Sequence, residues 1–543
     1  MALAKSIASP DCEDPLKRRR RIEAEPLPSS VWRLLEDATR DVGDRLLWDF
    51  FQAQSRATYA EVRESAAALA DGLYQRGVQQ RSVVAIMLPN VPEYPLAWLA
   101  LARLSAVAVP VNPQYTPREI EYVLADSGAS CVIVHDVAVG AVDSVVASLP
   151  DISPDRVFVV GQEAKGHVPF NDLLQAGRYG ESEFSEPQLD DLLNIQYTSG
   201  TTGMPKGCLL THRHWLTCGK VNARRDGQAY RRILASTPFF YMDPQWLLLM
   251  TLFQRATLYV AERQSASHFM QWVREHQIEF CLFPELALKQ PISIHDDDNA
   301  LLRMNVYGIK PDRHAEIERR FNVVAREAYG MTEMGSVMFM PMEAIDMVGS
   351  GSCGIPSPFR ECRIVDAEGK VLEAGEIGEL QVRGPGTMLG YHNKPEANAV
   401  AFEGNWFRTG DLFKRDDRGY YYLVGRLKDM IRRSGENVSA LEVERVLKGM
   451  TEVLEAAVIG VPDETRGEEI LAIVVLADGV SIEPSRLFSY CAESLARFKI
   501  PRFLRVESSL PKTPSGKIAK AELRERWRVS RAGCFDRMLD AWL

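Results

Sequence analysis

Short aliphatic and β-branched runs, each followed by a helix-length segment, recur through the first several hundred residues of this chain. Ser82-Val83-Val84-Ala85-Ile86-Met87-Leu88 has the length and composition of a strand; a Pro/Asn turn follows it, then an apolar helix over residues 92–105. Residues 106–111, Cys131-Val132-Ile133-Val134 and Val157-Phe158-Val159-Val160 repeat the strand pattern. A run that is apolar on both faces must be covered on both faces, so such strands separated by helices predict parallel sheets sandwiched between helical layers. At 543 residues the chain is too long for one core, and two or more domains are expected.

The pattern changes after Gly404. Trp406-Phe407-Arg408-Thr409-Gly410-Asp411 leads through Asp416-Asp417-Arg418-Gly419 into Tyr420-Tyr421-Tyr422-Leu423-Val424, which reads as a hairpin with a glycine turn and places Asp411 at a strand end. Gly425-Arg426-Leu427-Lys428-Asp429 is polar and reads as a linker. Beyond it, residues 438–447 form an amphipathic helix pattern with Ser439 as N-cap, and residues 455–461 and 470–476 read as strands. The fold class is therefore α/β: a large N-terminal α/β region with parallel sheets up to about residue 425, a linker at about 425–429 and a small α+β domain beyond it, with no assignment for the tail.

Between Asp191-Leu192-Leu193-Asn194-Ile195-Gln196, a strand pattern, and residues 209–215, which can open a helix, lies Tyr197-Thr198-Ser199-Gly200-Thr201-Thr202-Gly203-Met204-Pro205-Lys206-Gly207. From Thr198 to Gly203 every side chain is a hydroxyl or absent. Thr198, Ser199, Thr201 and Thr202 offer hydroxyl donors, Gly200 and Gly203 let backbone N–H groups approach an anion, and Lys206 adds a mobile positive charge. The loop suits a polyphosphate. It is not a Walker A loop, which needs Lys followed by Ser or Thr, whereas Gly207 follows Lys206.

A net charge of −9 argues against a nucleic-acid partner, which wants a basic face. The one basic run, Lys17-Arg18-Arg19-Arg20-Arg21, has acidic and proline neighbours and reads as a solvated tail. Nine cysteines occur singly with no C-x-x-C pair, a usage that fits a reducing, cytoplasmic compartment and offers no metal-ligand pattern. His212 and His214, two apart, read as structural. No sustained apolar stretch opens the chain as a signal peptide, and the most apolar region, 96–111, is interrupted by Arg103 and ends against a proline, so no membrane span is expected.

Other segments repeat the logic of the loop. Tyr329-Gly330-Met331-Thr332-Glu333 puts an aromatic ring, a glycine, a hydroxyl and a carboxylate in one turn: a ring can stack a purine and a carboxylate can hold Mg2+. Asp411 can accept two ribose hydroxyls. Lys517, in Pro514-Ser515-Gly516-Lys517, is a lone cation on a tight turn. The loop at 197–207, Tyr329–Glu333, Trp406–Asp411, Gly425–Asp429 and Pro514–Lys517 occur in an order and spacing that resemble the adenylate-forming superfamily, which contains acyl-CoA synthetases, nonribosomal adenylation domains and firefly luciferase. The resemblance covers residues 30–525.

The resemblance implies an N-terminal extension over 1–29, a large N-terminal domain of α/β subdomains with parallel sheets over 30–425, a hinge at 426–428, a small mobile α+β C-terminal domain over 429–525 and a tail over 526–543, and it assigns roles by position. Thr198, Ser199, Gly200, Thr201, Thr202, Gly203 and Lys206 would wrap the β- and γ-phosphates of ATP. Gly308-Ile309-Lys310-Pro311 would line adenine, with Tyr329 stacked opposite. Thr332 would contact the α-phosphate, Glu333 would bind Mg2+, and Asp411 and Arg426 would hold the ribose. Lys517 would reach the α-phosphate and the acid during adenylation. Lys428 is the pivot, and Gly435 lines the path of the thiol. The implied activity is ATP-dependent conversion of a carboxylic acid to an acyl-adenylate with release of pyrophosphate, then transfer to CoA. Alternatives are a stand-alone adenylation enzyme loading a carrier protein and, in a different class, an inactive nucleotide-binding scaffold. A homodimer is compatible with either.

Thr237-Pro238-Phe239-Phe240-Tyr241-Met242-Asp243-Pro244-Gln245-Trp246 resembles the family segment whose aromatic residue gates the acyl pocket, together with Gly330 and Met331. Tyr241 stands where histidine is common, and Asp243 departs from the usual small or apolar residue. The chain is similar to carnitine/crotonobetaine-type CoA ligases, whose substrates carry a quaternary ammonium. With Tyr241, Met242 and Trp246 beside it, Asp243 can receive a cation, so a small or cationic acid is one expectation. The competing assignment makes Asp243 the cap of a helix that has Pro244 in its first turn. Lys310 meets either a second anionic group of the substrate or solvent.

Overall fold

The computed structural model describes residues 14–162, 164, 166–177, 184–198, 205–309, 311–433, 436–513 and 516–543. Their contacts separate two compact units. The first holds the described residues up to Thr198, then Pro205–Glu361 and Val382–Phe407; the second holds Cys362–Gln381 and Arg408–Leu543.

In the first unit the apolar runs form a seven-stranded sheet in the order Val168–Pro169, Val157–Val160, Cys131–His135, Val83–Met87, Val107–Pro110, Leu192–Thr198, Lys206–Thr211. All neighbours are parallel except the last pair. Strands such as Val107–Pro110 and Val157–Val160 are buried along their whole length, because helices Glu93–Arg103, Pro117–Ser127 and Val139–Val146 supply the covering layers that a two-faced apolar strand requires. Thr116 caps the second of these helices through a capping box with Glu119. A nine-stranded sheet completes the unit, parallel from Ala325–Met331 to Leu46–Phe50 and antiparallel at each edge.

Two sequence expectations fail here. The segment expected to open a helix at 209 is a strand, Lys206–Thr211, and the helix starts at His212; pairing with Leu192–Thr198 outweighs the weak helical pattern of its first residues. The basic run is not a solvated tail. It lies in helix Pro15–Ala24, where Arg18 is 3% exposed, donates to the Arg225 carbonyl at 3.0 Å and pairs with Glu343. Glu23 accepts from the Phe359 N–H at 2.8 Å, so the helix is tied to three separate parts of the unit. Charge composition alone could not separate a solvated face from one side chain with a buried partner.

The second unit contains the expected hairpin, in which Asp411 to Arg415 of the strand Trp406–Arg415 pair with Tyr421–Arg426, and a seven-stranded mixed sheet. Long antiparallel strands Val453–Asp463 and Gly467–Leu476 form its centre, and helix Ala440–Leu447 is capped by Ser439, as its sequence indicates. Residues 534–536, which carried no assignment, pair as a strand with Phe503–Val506 and anchor Arg502 to Asp536 at 3.0 Å.

Candidate active site

The antiparallel strand pair at the edge of the seven-stranded sheet sets Thr198 opposite Lys206. Ser199, Gly200, Thr201, Thr202 and Gly203 lie outside the described residues, as do Lys310 and Gly435, but both ends of the loop are fixed. Tyr197 donates to Asp126 Oδ2 at 2.8 Å. Gly207 explains the departure from a Walker sequence: a Cβ there would stand 2.5 Å from Ile195 Cγ2 and 3.2 Å from the Tyr197 ring.

The segment 388–392 runs alongside this edge. Leu209 N–H donates to Gly390 O at 3.0 Å, and His392 N–H to Gly207 O at 2.8 Å. The segment delivers Tyr391, whose ring carries the Lys206 ammonium 4.9 Å from its centroid and whose hydroxyl donates to Glu333 Oε1 at 2.8 Å. Burial, reinforced by the Glu333 carboxylate, raises the pKa of this phenol. Lys206 and Glu333, 127 positions apart, are thus bridged by one ring. Tyr391 is a candidate site residue that lies outside the sequence motifs. Its only sequence signal is the glycine density before it: Gly384, Gly386 and Gly390 all have positive φ.

Glu333 is 9% exposed and sits in the turn of a hairpin between strands Ala325–Met331 and Gly335–Phe339. Tyr329, Gly330 and Met331 were expected in the same turn; they belong instead to the strand, and only Thr332, Glu333 and Met334 turn. The close pairing accounts for Gly330, where a Cβ would meet the Gly335 carbonyl at 2.7 Å. Met388 N–H holds the Glu333 carbonyl at 2.9 Å. Glu333 Oε2 accepts no hydrogen bond among the described residues. One parallel strand away, Gly308 and Ile309 are held by Glu327, whose two oxygens accept from their N–H groups at 3.1 and 3.0 Å. Glu327 is a second residue that no motif pointed to: it shapes the loop through backbone donors, which are identical in every sequence.

In the second unit Asp411 and Arg426 face each other across the hairpin, with Arg426 Nε 3.0 Å from Asp411 Oδ1. Asp411 is 4% exposed and lies inside the strand Trp406–Arg415, not at a strand end. Thr409 donates to Leu380 O at 2.7 Å and accepts from the Asp411 N–H at 3.1 Å, fixing the backbone before the carboxylate. Lys428 is exposed in the single turn Leu427–Asp429. Lys517 is exposed on a turn closed by Thr513 N–H to Lys517 O at 2.7 Å and Gly516 N–H to Thr513 O at 2.8 Å.

Tyr241 precedes helix Met242–Gln254 without a side-chain cap. Asp243 is within the first helical turn, so it does not cap a helix beginning at Pro244. Its Oδ1 accepts from Trp246 Nε1 at 3.1 Å. A buried amide network fixes the segment: Gln245 Nε2 donates to Phe239 O and Tyr241 O at 3.0 and 3.1 Å, while Gln196 Nε2 donates to Phe240 O at 2.9 Å. Gln196 is only two positions before Thr198, so the phosphate-loop strand and the acid segment are held in one framework.

His212 and His214 are buried, as expected of structural residues. His212 Nδ1 accepts from Val31 N–H at 3.1 Å, and His214 Nδ1–H donates to Gly386 O at 2.7 Å. Burial lowers their pKa values from 6.5 to about 4 and about 3, so both are neutral in the folded chain. An unfolded histidine takes up its proton first as pH falls. Stability against urea is therefore expected to be retained above about pH 6.5 and to decline below it, by as much as ~1.4 kcal/mol per pH unit for each histidine. His212→Gln should make that decline shallower between about pH 6.5 and 5; an unchanged slope would show that the ring is not a source of it. No group of three or more His, Cys, Asp or Glu among the described residues is placed to hold a metal ion, and no described helix is long and apolar enough to cross a membrane.

Residues 34–392 match the family model described as AMP-binding enzyme, and residues 442–517 match AMP-binding enzyme C-terminal domain. The chain is 34% identical to a feruloyl-CoA synthase of an Amycolatopsis species over 87% of this chain and 94% of that one. It is 31% identical to a crotonobetaine/carnitine–CoA ligase of Salmonella enteritidis over 86% and 93%. The crystal structure of ATP-bound MatB from Rhodopseudomonas palustris superposes with a TM-score of 0.82 at 26% identity, covering 92% of this chain and 99% of that one. With the family model matched across the sheets that carry Lys206 and Glu333 and the second model matched beyond them, the chain belongs to the AMP-binding enzyme family, as an AMP-forming acid–thiol ligase.

Proposed function

We propose that this protein activates a carboxylic acid with ATP, releases pyrophosphate, and passes the acyl group from the adenylate to the thiol of CoA. The observation that carries this proposal is the Lys206–Tyr391–Glu333 cluster set against the two ends of the hydroxyl- and glycine-rich loop. When a carboxylate oxygen attacks the α-phosphorus, negative charge meets negative charge, so cations and donors must neutralise what develops there. Lys206 and the residues Thr198 to Gly203 take the β- and γ-phosphates, and Thr332 and Lys517 take the α-phosphate. Gly308, Ile309 and Tyr329 receive adenine, with Glu327 holding the first two in place; Asp411 and Arg426 receive the ribose.

Glu333 suits Mg2+, because its Oε1 is already oriented by Tyr391 while Oε2 takes no hydrogen bond among the described residues, and Mg2+ draws most of its ligands from phosphate and water. When bound, the ion supplies positive charge to the phosphate oxygens. The adenylate carries AMP as a good leaving group, and the thiol then attacks the acyl carbonyl. The two steps need different neighbours around one acyl group, so residues beyond Lys428 rotate, withdrawing Lys517 and bringing up Gly435. The CoA named in the relatives above supports CoA as acceptor over a carrier protein. None of the eight described cysteines is joined to another in a disulfide, which supports a reducing, cytoplasmic setting.

Pyrophosphate release with ATP and a panel of acids tests the first half-reaction, and CoA against holo-carrier protein tests the second. Pyrophosphate from no acid would leave the scaffold alternative standing. Tyr391→Phe is expected to lower adenylation roughly 10-fold by removing the hydrogen bond that orients Glu333. An unchanged rate at limiting Mg2+ would remove Tyr391 from that role.

A further inference from the structure

Two residues one turn apart on helix Pro117–Ser127 take hold of both stems of the hydroxyl- and glycine-rich loop. Asp126 Oδ2 accepts from the Tyr197 hydroxyl at 2.8 Å, on the strand that enters the loop. The Tyr122 hydroxyl donates to Pro205 O at 2.9 Å, where the chain leaves it. Positions i and i+4 lie on one helix face, so the two side chains act from the same side. The Tyr122 and Tyr197 rings meet edge to face, with centroids 6.4 Å apart. The strand ladder does not supply all of this. Its last pair is Thr198 opposite Lys206, so Pro205 lies beyond the ladder and its carbonyl is held by the Tyr122 hydroxyl.

The other oxygen of Asp126 is taken by a cation. Lys394 Nζ donates to Asp126 Oδ1 at 2.5 Å, in a pair whose side chains are 31% and 10% exposed, and lies 5.8 Å from the centre of the Tyr122 ring. Lys394 follows Tyr391 by three positions, and that tyrosine carries Lys206 and orients Glu333. Asn398 keeps the two together. Its side chain accepts from Tyr391 N–H at 2.6 Å and donates to Tyr391 O at 2.8 Å, and its N–H donates to Lys394 O at 3.0 Å. The contacts close a circuit from helix Pro117–Ser127 through the loop stems, Lys206, Tyr391 and Lys394 back to Asp126. A carboxylate that takes an ammonium and a phenol is well compensated, and its charge-assisted bonds are stronger than bonds between neutral groups.

We propose that Asp126, acting with Tyr122 and Lys394, is a positioning residue that sets the two stems of the loop for the β- and γ-phosphates of ATP. The proposal rests on the acid-activating reading above. A segment rich in glycine and small side chains loses much conformational freedom when it orders around an anion. Pinning its stems beforehand leaves less to lose at binding. None of the three residues is assigned a phosphate contact of its own, so their effect passes through the loop. AMP has no β- or γ-phosphate and gives them nothing to act on.

The test is calorimetric titration of ATP and of AMP, each with Mg2+, into the wild-type chain and its variants. Asp126→Asn and Lys394→Met each break the ion pair; they should raise the Kd for ATP about 10-fold and leave that for AMP within about twofold. Tyr122→Phe removes only the bond to Pro205 and should raise the Kd for ATP about threefold. Lys394→Arg can remake the pair and should restore ATP binding. Asp126→Asn combined with Lys394→Met should cost no more than either alone, as expected of two partners in one bond. Equal weakening of ATP and AMP overturns the proposal and assigns the pair to the fold. Unchanged ATP binding in both single variants overturns it as well. Either result leaves the ligase reading intact where wild type releases pyrophosphate with an acid; release with no acid overturns reading and proposal together. Should Asp126→Asn fail to fold, Lys394→Met, at the more exposed end of the pair, and the nearly isosteric Tyr122→Phe decide.

Discussion

Lys517→Ala is expected to depress acyl-adenylate formation by about 10²–10³-fold, the usual cost of deleting one donor aimed at developing charge, while thioester formation from supplied acyl-adenylate persists at close to the wild-type rate. The residue is suited to so specific a loss. Its side chain is exposed, and the turn beneath it is closed by backbone bonds of 2.7 and 2.8 Å between Thr513, Gly516 and Lys517, none of which involves the ammonium. Truncation therefore removes a charge and leaves the turn in place. Separate assays are needed, one for pyrophosphate release and one starting from purified adenylate with CoA. Equal losses in both would mean that Lys517 serves the fold or the thiol step instead.

Glu333→Gln should lower adenylation by about 10²-fold and raise the Mg2+ concentration giving half-maximal rate, since a neutral amide is a far weaker ligand for a hard cation than a carboxylate. The substitution is nearly isosteric, and the amide oxygen can still accept from Tyr391 at the position where Oε1 now stands. The thermal midpoint should hardly move. If the rate falls but the Mg2+ dependence is unchanged, Glu333 is a positioning residue and the cation is held elsewhere. Tyr391→Phe, with its smaller expected effect, then separates orientation of the carboxylate from its charge.

Much of the strand pattern was legible because a buried parallel strand leaves a strong local signature. Val83–Met87, Val107–Pro110, Cys131–His135 and Val157–Val160 fall where their apolar runs lie. The caps and turns were also local: Ser439 heads its helix, and Asp416–Gly419 makes its hairpin. Where signals were weak or the deciding contact was distant, local logic failed. Lys206–Thr211 became a strand because Leu192–Thr198 offered a ladder, and Arg18 left solvent because Glu343 lay across the fold.

The sequence by itself determined the chemistry available: a loop of hydroxyls and glycines, a lysine after it, and separated carboxylates and cations in a recognisable order. It also determined that the frame would be parallel sheets between helices. Only the tertiary structure decided which of these groups meet. Tyr391 reaches Lys206 and Glu333 because the segment at 388–392 hydrogen-bonds to the edge strand of the sheet. Glu327 shapes the loop at Gly308 because two parallel strands end side by side. The physical reason is the same in each case. Backbone donors and acceptors carry no sequence label, so the partners they select across the fold are set by strand pairing and by the need to satisfy buried polar groups.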